Sequence, residues 1–253
     1  MAITVFDICR YPVKGLSAES LERVALTPSE GLPHDRRFAI AHGSTAFDPH
    51  APQWLPKTNF LMLMRDEKLA QLRVRFDPRD NTLCIVRGGK PVVSAKVDNA
   101  MGRTVVGEFF AGFMSGAVRG MPKLLEASGH MFSDSHRKYV SLVNLASVHD
   151  LERVMRQTVE PLRFRANIYI EGAPAWQEFD WTGREIRLGS ARLKVAGPID
   201  RCAATNVNPE TAERDLNVPL ALQRGFGHVN MGIYAEVVEG GEVAKGDLLA
   251  PPG

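Results

Sequence analysis

The sequence is poor in cysteine, in excess charge and in long apolar runs. Its three cysteines, Cys9, Cys84 and Cys202, stand far apart and form no CxxC pair, which argues against zinc sites and ferredoxin-type clusters. The formal net charge is only +2, so neither a nucleic-acid partner nor a membrane surface is expected. Because no apolar run reaches about eighteen residues, no membrane-spanning helix is predicted.

Familiar catalytic and nucleotide-binding motifs are also missing. The seven histidines form no HExxH pattern, and the chain contains neither a Walker loop nor a GxGxxG turn after a strand. The first residues lack the apolar stretch and cleavage site of a signal peptide, and sparse cysteine suits a reducing compartment. We therefore expect a cytoplasmic protein.

Short segments rich in β-branched and aromatic residues dominate what is present, and turn residues separate them. Helical periodicity occurs over residues 104–118, and a second helix is expected to start at Ser147. The sequence thus predicts an α+β, mostly β protein, best divided near residues 99–102 into domains 1–100 and 101–253. Strands are predicted at residues 3–10, 21–27, 36–41, 69–76, 82–87, 138–143, 165–171, 184–188, 191–196, 232–238 and 247–249.

Two basic turns in the first domain are candidate anion sites. Lys14 follows a proline and precedes a glycine, so one cation lies beside bare backbone that can hold a phosphate. Taken alone the pattern is weak, and it is more typical of a surface lysine. Arg36 and Arg37 enter a predicted strand and point to opposite faces, so one is expected to face inward and to need an anion. Asp35 in a structural ion pair and a bound ligand both remain open.

Two further candidates lie in the second domain. Arg163 and Arg165 are two residues apart and share one face if the chain is extended there, which suits a phosphate or a carboxylate. A solvated sheet edge explains them equally. Cys202 lies in a polar, turn-prone stretch beside Arg201, and a cationic neighbour favours the thiolate that attacks or binds metal. The pattern alone leaves a bystander cysteine open, and no histidine is placed to act as its base.

Several motifs together resemble MOSC proteins, a family named for the C-terminal domain of molybdenum cofactor sulfurase. Residues 11–15 (Tyr-Pro-Val-Lys-Gly) and 35–38 (Asp-Arg-Arg-Phe) resemble the N-terminal MOSC-associated β-barrel domain. Residues 141–151, 164–167, 188–193, 201–202, 207–211, 226–227 and 243–247 resemble the MOSC domain. The resemblance implies an N-terminal β-barrel-like domain followed by a MOSC β-barrel with flanking helices.

The chain is similar to amidoxime-reducing components and YcbX-type proteins, in which one cysteine binds molybdenum. This resemblance implies that Cys202 is the metal ligand and the catalytic residue. It also implies that the molybdenum cofactor, a phosphorylated pterin dithiolene (molybdopterin), is bound by basic and polar residues. These are Lys14, Arg36, Arg165 and Asn167, with Arg37, Asn144, Arg163, Arg201 and Thr205 as further candidates.

The activity implied is a molybdenum-dependent oxidoreductase that reduces N-hydroxylated compounds such as amidoximes and hydroxylamines. Its electrons would come from a separate haem or iron–sulfur protein. A sulfur carrier or sulfurtransferase with a persulfide on Cys202, and a non-enzymatic cofactor-binding or delivery protein, are the alternatives. One departure concerns residues 208–211 (Asn-Pro-Glu-Thr), where the family usually has Asp-Pro-Asp-Thr, so the charge near the cofactor differs.

Overall fold

The computed structural model describes residues 2–253, and strands make up most of its regular structure. The strands are β1 Ile3–Arg10, β2 Glu19–Leu21, β3 Arg23–Leu26, β4 Ala39–Ala41, β5 Leu72–Asp77, β6 Thr82–Arg87, β7 Lys90–Lys96, β8 Lys123–Leu125, β9 Val140–Asn144, β10 Ile168–Glu171, β11 Glu185–Leu188, β12 Ala191–Asp200, β13 Asn230–Glu239, β14 Gly241–Ala244 and β15 Leu248–Ala250. The helices are α1 Ala100–Phe113, α2 Leu145–Met155 and α3 Val218–Phe226. The predicted α+β, mostly β class is confirmed.

Seven strands close into a barrel in the order β10-β9-β13-β12-β11-β15-β1, because β1 also pairs with β10. Along β12, buried and exposed residues alternate from Ala191 to Val195, as expected for a strand with one face in a core. The inward residues of β12 and β13, such as Leu193, Val195 and Ile233, pack in a single apolar cluster. This packed interior gives the outer strand ends a rigid support.

The three-stranded sheet β5-β6-β7 and α1 form a second core. Asn99 caps α1 by accepting a hydrogen bond from the Gly102 amide at 2.9 Å, which satisfies one free N–H of the first turn. A Cβ at Gly102 would lie 1.7 Å from the Lys96 carbonyl oxygen, so only glycine allows this close approach. The helix therefore begins before the predicted 104 and ends at Phe113, before 118.

Strand pairing links the first part of the chain to the last. β1 lies in the barrel beside β10 and β15, and β3 pairs with β14. Helix α1 packs on β7 and β8. The division into residues 1–100 and 101–253 stays a prediction. Between residues 2 and 253 no helix is both long and apolar enough to span a membrane.

Two segments expected to be extended are not, and both carry candidate arginines. Arg36 has φ 46° and Arg165 has φ 52°, in the left-handed region. The strand predicted from residue 36 consequently starts at Ala39, and a 3₁₀ helix, Pro161–Phe164, precedes Arg165. The expectation that Arg163 and Arg165 share one face of a strand is therefore wrong. Left-handed backbone costs a non-glycine residue roughly 1 kcal/mol or more, so tertiary contacts hold both arginines in place.

Candidate functional site

A cavity of about 180 Å³ opens where the barrel meets the loops of the first half of the chain. The turn after β1, the segment from 131 to 139, the stretch from 163 to 167 and the end of β12 all contribute walls. The cavity brings together eight of the ten residues singled out from the sequence: Lys14, Arg36, Arg163, Arg165, Asn167, Arg201, Cys202 and Thr205.

Cys202 is a free, half-buried cysteine on the cavity wall. It follows the end of β12 and precedes the 3₁₀ helix Ala203–Asn206. The Thr205 amide and hydroxyl both donate to the Cys202 carbonyl, at 3.0 and 2.9 Å, and so fix the backbone of this turn. Cys9 and Cys84 do not line the cavity. Cys202 is thus the one cysteine of the chain that a ligand in this cavity would meet.

Arg201 lies against the same wall, where all of its hydrogen bonds go to backbone oxygens. Its guanidinium donates to the carbonyls of Phe164 at 2.8 Å and Met231 at 2.8 and 2.5 Å. No carboxylate of the described chain pairs with it within 4.0 Å. Burial lowers the pKa of Arg201, because the surroundings solvate its charge poorly. Such a cation is a ready site for an external anion.

Arg165, like Arg201, has no carboxylate partner in the described chain, whereas its neighbour Arg36 pairs with a carboxylate of the protein. Both guanidiniums stack on the Tyr11 ring, with centroid distances of 4.4 Å for Arg36 and 4.5 Å for Arg165. Arg36 forms a short ion pair with the buried Asp35 and donates to the Arg165 carbonyl at 2.7 Å. Arg165 donates to the Leu16 carbonyl at 2.7 Å and has no carboxylate partner among residues 2–253.

The electrostatics of Arg165 follow from that arrangement. Burial, reinforced by repulsion from Arg36, lowers the pKa of Arg165 to about 10. Stacking on Tyr11 compensates only in part, since a cation–π contact contributes roughly 0.5–2 kcal/mol. The cavity therefore contains two half-buried positive charges, on Arg165 and Arg201, that no carboxylate of the described chain pairs with.

Lys14 differs from Arg165 and Arg201, because its charge is already paired with a carboxylate of the protein. Its ammonium group donates to the Phe132 carbonyl at 3.0 Å and to Asp134 at 2.5 Å. Burial lowers the pKa of Lys14, and the Asp134 carboxylate opposes that effect. The side chain of Asp134 is 54% exposed, on the segment that covers this side of the cavity. An anion reaching Lys14 would compete with this carboxylate.

Arg163 and Asn167 line the cavity, but most of their polar atoms form hydrogen bonds within the protein. Their side chains therefore stabilise the cavity walls. Arg163 makes two bonds to the Asp215 carboxylate, at 2.7 and 2.6 Å, and one to the Asn206 carbonyl at 3.1 Å. The Asn167 amide oxygen accepts two bonds from Ser141, and its nitrogen donates to the Cys9 carbonyl.

Arg37 and Asn144 lie outside the cavity. The left-handed turn at Arg36 sends the next side chain to another surface, where Arg37 pairs with Glu126 at 2.6 Å. Asn144 is fully buried and caps α2 by accepting from the Ala146 amide at 3.1 Å. Its amide nitrogen donates to the Glu178 carboxylate at 3.1 Å. The structure does not bring either residue to Cys202.

Several lining residues were not anticipated from the sequence. They include Lys57, Asp134, Arg137, Tyr139 and Tyr234. Lys57 lies in the short 3₁₀ helix Lys57–Asn59, and Asp134 and Arg137 lie in a loop, so no periodicity in the sequence indicates the direction of these side chains. For Tyr234 a signal exists, since the alternation along β13 places it opposite the buried Ile233 and Ala235.

Two family models cover most of the chain. The MOSC N-terminal beta barrel domain matches residues 2–118, and the MOSC domain matches residues 128–250. The predicted N-terminal barrel domain followed by a MOSC barrel is thereby confirmed.

Curated relatives of the chain include proteins described as molybdenum cofactor sulfurase. That of Caenorhabditis elegans is 26% identical over 91% of this chain and 33% of its own length. That of Drosophila melanogaster is 28% identical over 88% of this chain and 30% of its own. The human one is 34% identical over 37% of this chain and 12% of its own. The chain thus spans at most about a third of these relatives.

A solved structure, that of the YUAD protein from Bacillus subtilis, matches 98% of this chain and 94% of its own, with 14% identity and a TM-score of 0.47. With its two domain matches in sequence order, the chain belongs to the MOSC family.

Proposed function

We propose that this protein binds the molybdenum cofactor in the cavity and reduces N-hydroxylated compounds such as amidoximes and hydroxylamines. In this proposal Cys202 is the protein ligand to the metal and the catalytic residue. One observation carries it: the free Cys202 thiol shares a cavity with the half-buried side chains of Arg165 and Arg201, which lack carboxylate partners in the described chain.

The two guanidiniums suit the phosphate of such a cofactor. A planar guanidinium can donate two parallel hydrogen bonds to a phosphate, and burial strengthens each of them. Arg36 and Lys14 add positive charge on the same cavity, although Asp35 and Asp134 neutralise part of it. We therefore assign the main phosphate contacts to Arg165 and Arg201, with Lys14 and Arg36 beside them.

A single cysteine suits the metal. Molybdenum with dithiolene sulfurs is a soft centre that accepts a thiolate, and the cofactor, when bound, would supply the redox chemistry that removes oxygen from the substrate. Thr205 holds the Cys202 turn, while Arg163 and Asn167 hold the adjoining walls. Arg37 and Asn144 would act only indirectly, through the folding of the segments they stabilise. A separate haem or iron–sulfur protein would deliver the electrons.

The test combines metal content with turnover. Protein from a host that makes the cofactor should contain about one molybdenum per chain and reduce benzamidoxime with a chemical electron donor. Cys202→Ala should lose both, whereas Cys84→Ala, altered on β6 away from the cavity, should keep both. Stoichiometric molybdenum in Cys202→Ala would refute the ligand assignment. Bound molybdenum without turnover from any donor would refute the reductase and favour cofactor delivery.

A sulfur carrier is the second candidate, and the description of the relatives as molybdenum cofactor sulfurase favours it. In that role the Cys202 thiolate would carry a persulfide. Intact mass spectrometry would then find one added sulfur atom on Cys202, removed by reductant, in protein without molybdenum. The reductase proposal predicts no such labile sulfur.

A further inference from the structure

Two tyrosines form an aromatic wall of the cavity. This wall has no role in the proposed contacts to the cofactor's phosphate. Tyr139 immediately precedes β9 and Tyr234 lies on β13, and both line the cavity. Their rings are stacked, with centroids 5.3 Å apart and an angle of 25° between the planes. Both side chains are half-buried, so part of each ring faces the open space.

The neighbours of Tyr234 on the barrel are small. Across the two strand pairings it lies opposite Gly197 on β12 and Ser141 on β9. Cross-strand side chains usually cover an outward-facing ring, but here neither neighbour is large enough to do so. A Cβ built on Gly197 would have no other atom within 4 Å. The sheet therefore leaves space beside Tyr234, and the Tyr139 ring stacks on that side of the cavity.

The hydroxyl groups of this pair are also free to bind a ligand. Within the described chain, neither the Tyr139 nor the Tyr234 hydroxyl makes a hydrogen bond, in contrast to Tyr169, which donates to the Pro161 carbonyl. Burial raises the pKa of Tyr234, so its hydroxyl stays protonated at neutral pH and can donate. An aromatic face next to a free donor matches a flat ring that carries a polar oxygen.

We propose that the stacked Tyr139–Tyr234 pair is the substrate subsite and that it selects planar aromatic N-hydroxylated compounds over non-planar ones. This inference rests on the proposed function, because it names the substrate class of the same cavity. The ring of the substrate stacks against the pair, and its N-hydroxyl group lies within reach of a tyrosine hydroxyl. Both tyrosines position the substrate, so the selectivity appears in binding.

The test compares two ligands of similar size, benzamidoxime and cyclohexanecarboxamidoxime, by calorimetric titration of the isolated protein without an electron donor. Wild-type protein should bind the flat ligand roughly three- to tenfold more tightly, the range that aromatic pairing supports. Tyr234→Leu and Tyr139→Leu should abolish this preference. Tyr234→Phe should keep the preference while binding both ligands more weakly, and Val238→Ala, further along β13, should behave as wild type.

The outcomes separate the two proposals. Equal binding of both ligands by wild type, no binding of either, or a preference unchanged in both leucine variants would overturn the aromatic subsite. Absence of molybdenum or of turnover, with the ring preference intact, would instead refute the reductase assignment and leave the subsite standing. In an active preparation the leucine variants should raise KM for benzamidoxime with little change in kcat.

Discussion

Replacing Arg165 by methionine should leave the cofactor-free protein as stable as wild type or more stable, while weakening anion binding. Arg165 is a half-buried cation with no carboxylate partner among residues 2–253, and its pKa falls to about 10. A lowered pKa of a base means that the fold disfavours its charged form. That cost is fully present at every pH below about 10, and hence at neutral pH.

The lowered pKa of Arg165 sets the size of the expected change in stability. At about 1.4 kcal/mol per pKa unit, the lowered pKa of Arg165 corresponds to roughly 3 kcal/mol. Partial solvation of the half-buried residue and the loss of its bond to the Leu16 carbonyl reduce the stability gained on replacement. We therefore expect the free energy of unfolding of Arg165→Met to exceed that of wild type by about 0–2 kcal/mol. In a domain of this size that is a rise in Tm of up to roughly 8 °C. Loss of a charge-assisted bond should weaken phosphate binding roughly tenfold or more.

Arg163→Met is the matched control, two residues earlier in the chain. The side chain of Arg163 is 1% exposed and forms two bonds to Asp215, which is 34% exposed. Breaking this pair should destabilise the protein by about 2–3 kcal/mol, below the full cost of a buried pair because Asp215 can be solvated. Differential scanning fluorimetry of cofactor-free protein, with and without inorganic pyrophosphate, measures both effects. Equal destabilisation by both variants, with pyrophosphate binding unchanged in Arg165→Met, would refute the reasoning.

Further predictions concern residues around the site and in the two cores. The pKa of the buried Glu178 carboxyl is raised by burial, so wild-type stability relative to Glu178→Gln should fall as pH rises from about 4; a pH-independent difference in urea unfolding would contradict this. Asp134→Asn removes the anion paired with Lys14 and should tighten pyrophosphate binding several-fold by calorimetry, and unchanged affinity would show that Lys14 makes no anion contact. Gly102→Ala places a Cβ against the Lys96 carbonyl and should lower the unfolding free energy by about 2 kcal/mol or more; an unchanged urea midpoint would show that α1 can shift freely.

Much of the barrel could be predicted because its strands have a strong period of two. β12 shows this over its first five residues, where buried and exposed positions alternate strictly. Elements with weaker signals were missed. Helix α3 has only nine residues and a proline in its first turn, and β7 is mostly exposed, so neither has a long apolar pattern. Helix α2 begins at Leu145, before the predicted Ser147, because the Asn144 side chain caps it.

The site was predictable as a set of cations and one cysteine, but its electrostatics were not. Whether an arginine is available depends on partners distant in sequence, such as Asp215 for Arg163, 52 residues away. The stacking of Arg36 and Arg165 on Tyr11 overrides the extended backbone that local sequence predicts. Charge compensation of this kind is a tertiary property, and spacing alone contains no information about it.

The proposed cofactor site depends most directly on a bond between the Cys202 sulfur and molybdenum. X-ray absorption at the molybdenum edge, measured on wild type, Cys202→Ser and Cys84→Ser, counts the sulfur atoms around the metal. We predict one sulfur fewer in Cys202→Ser than in the other two proteins. The same sulfur count in all three, with molybdenum bound, would contradict the central assignment.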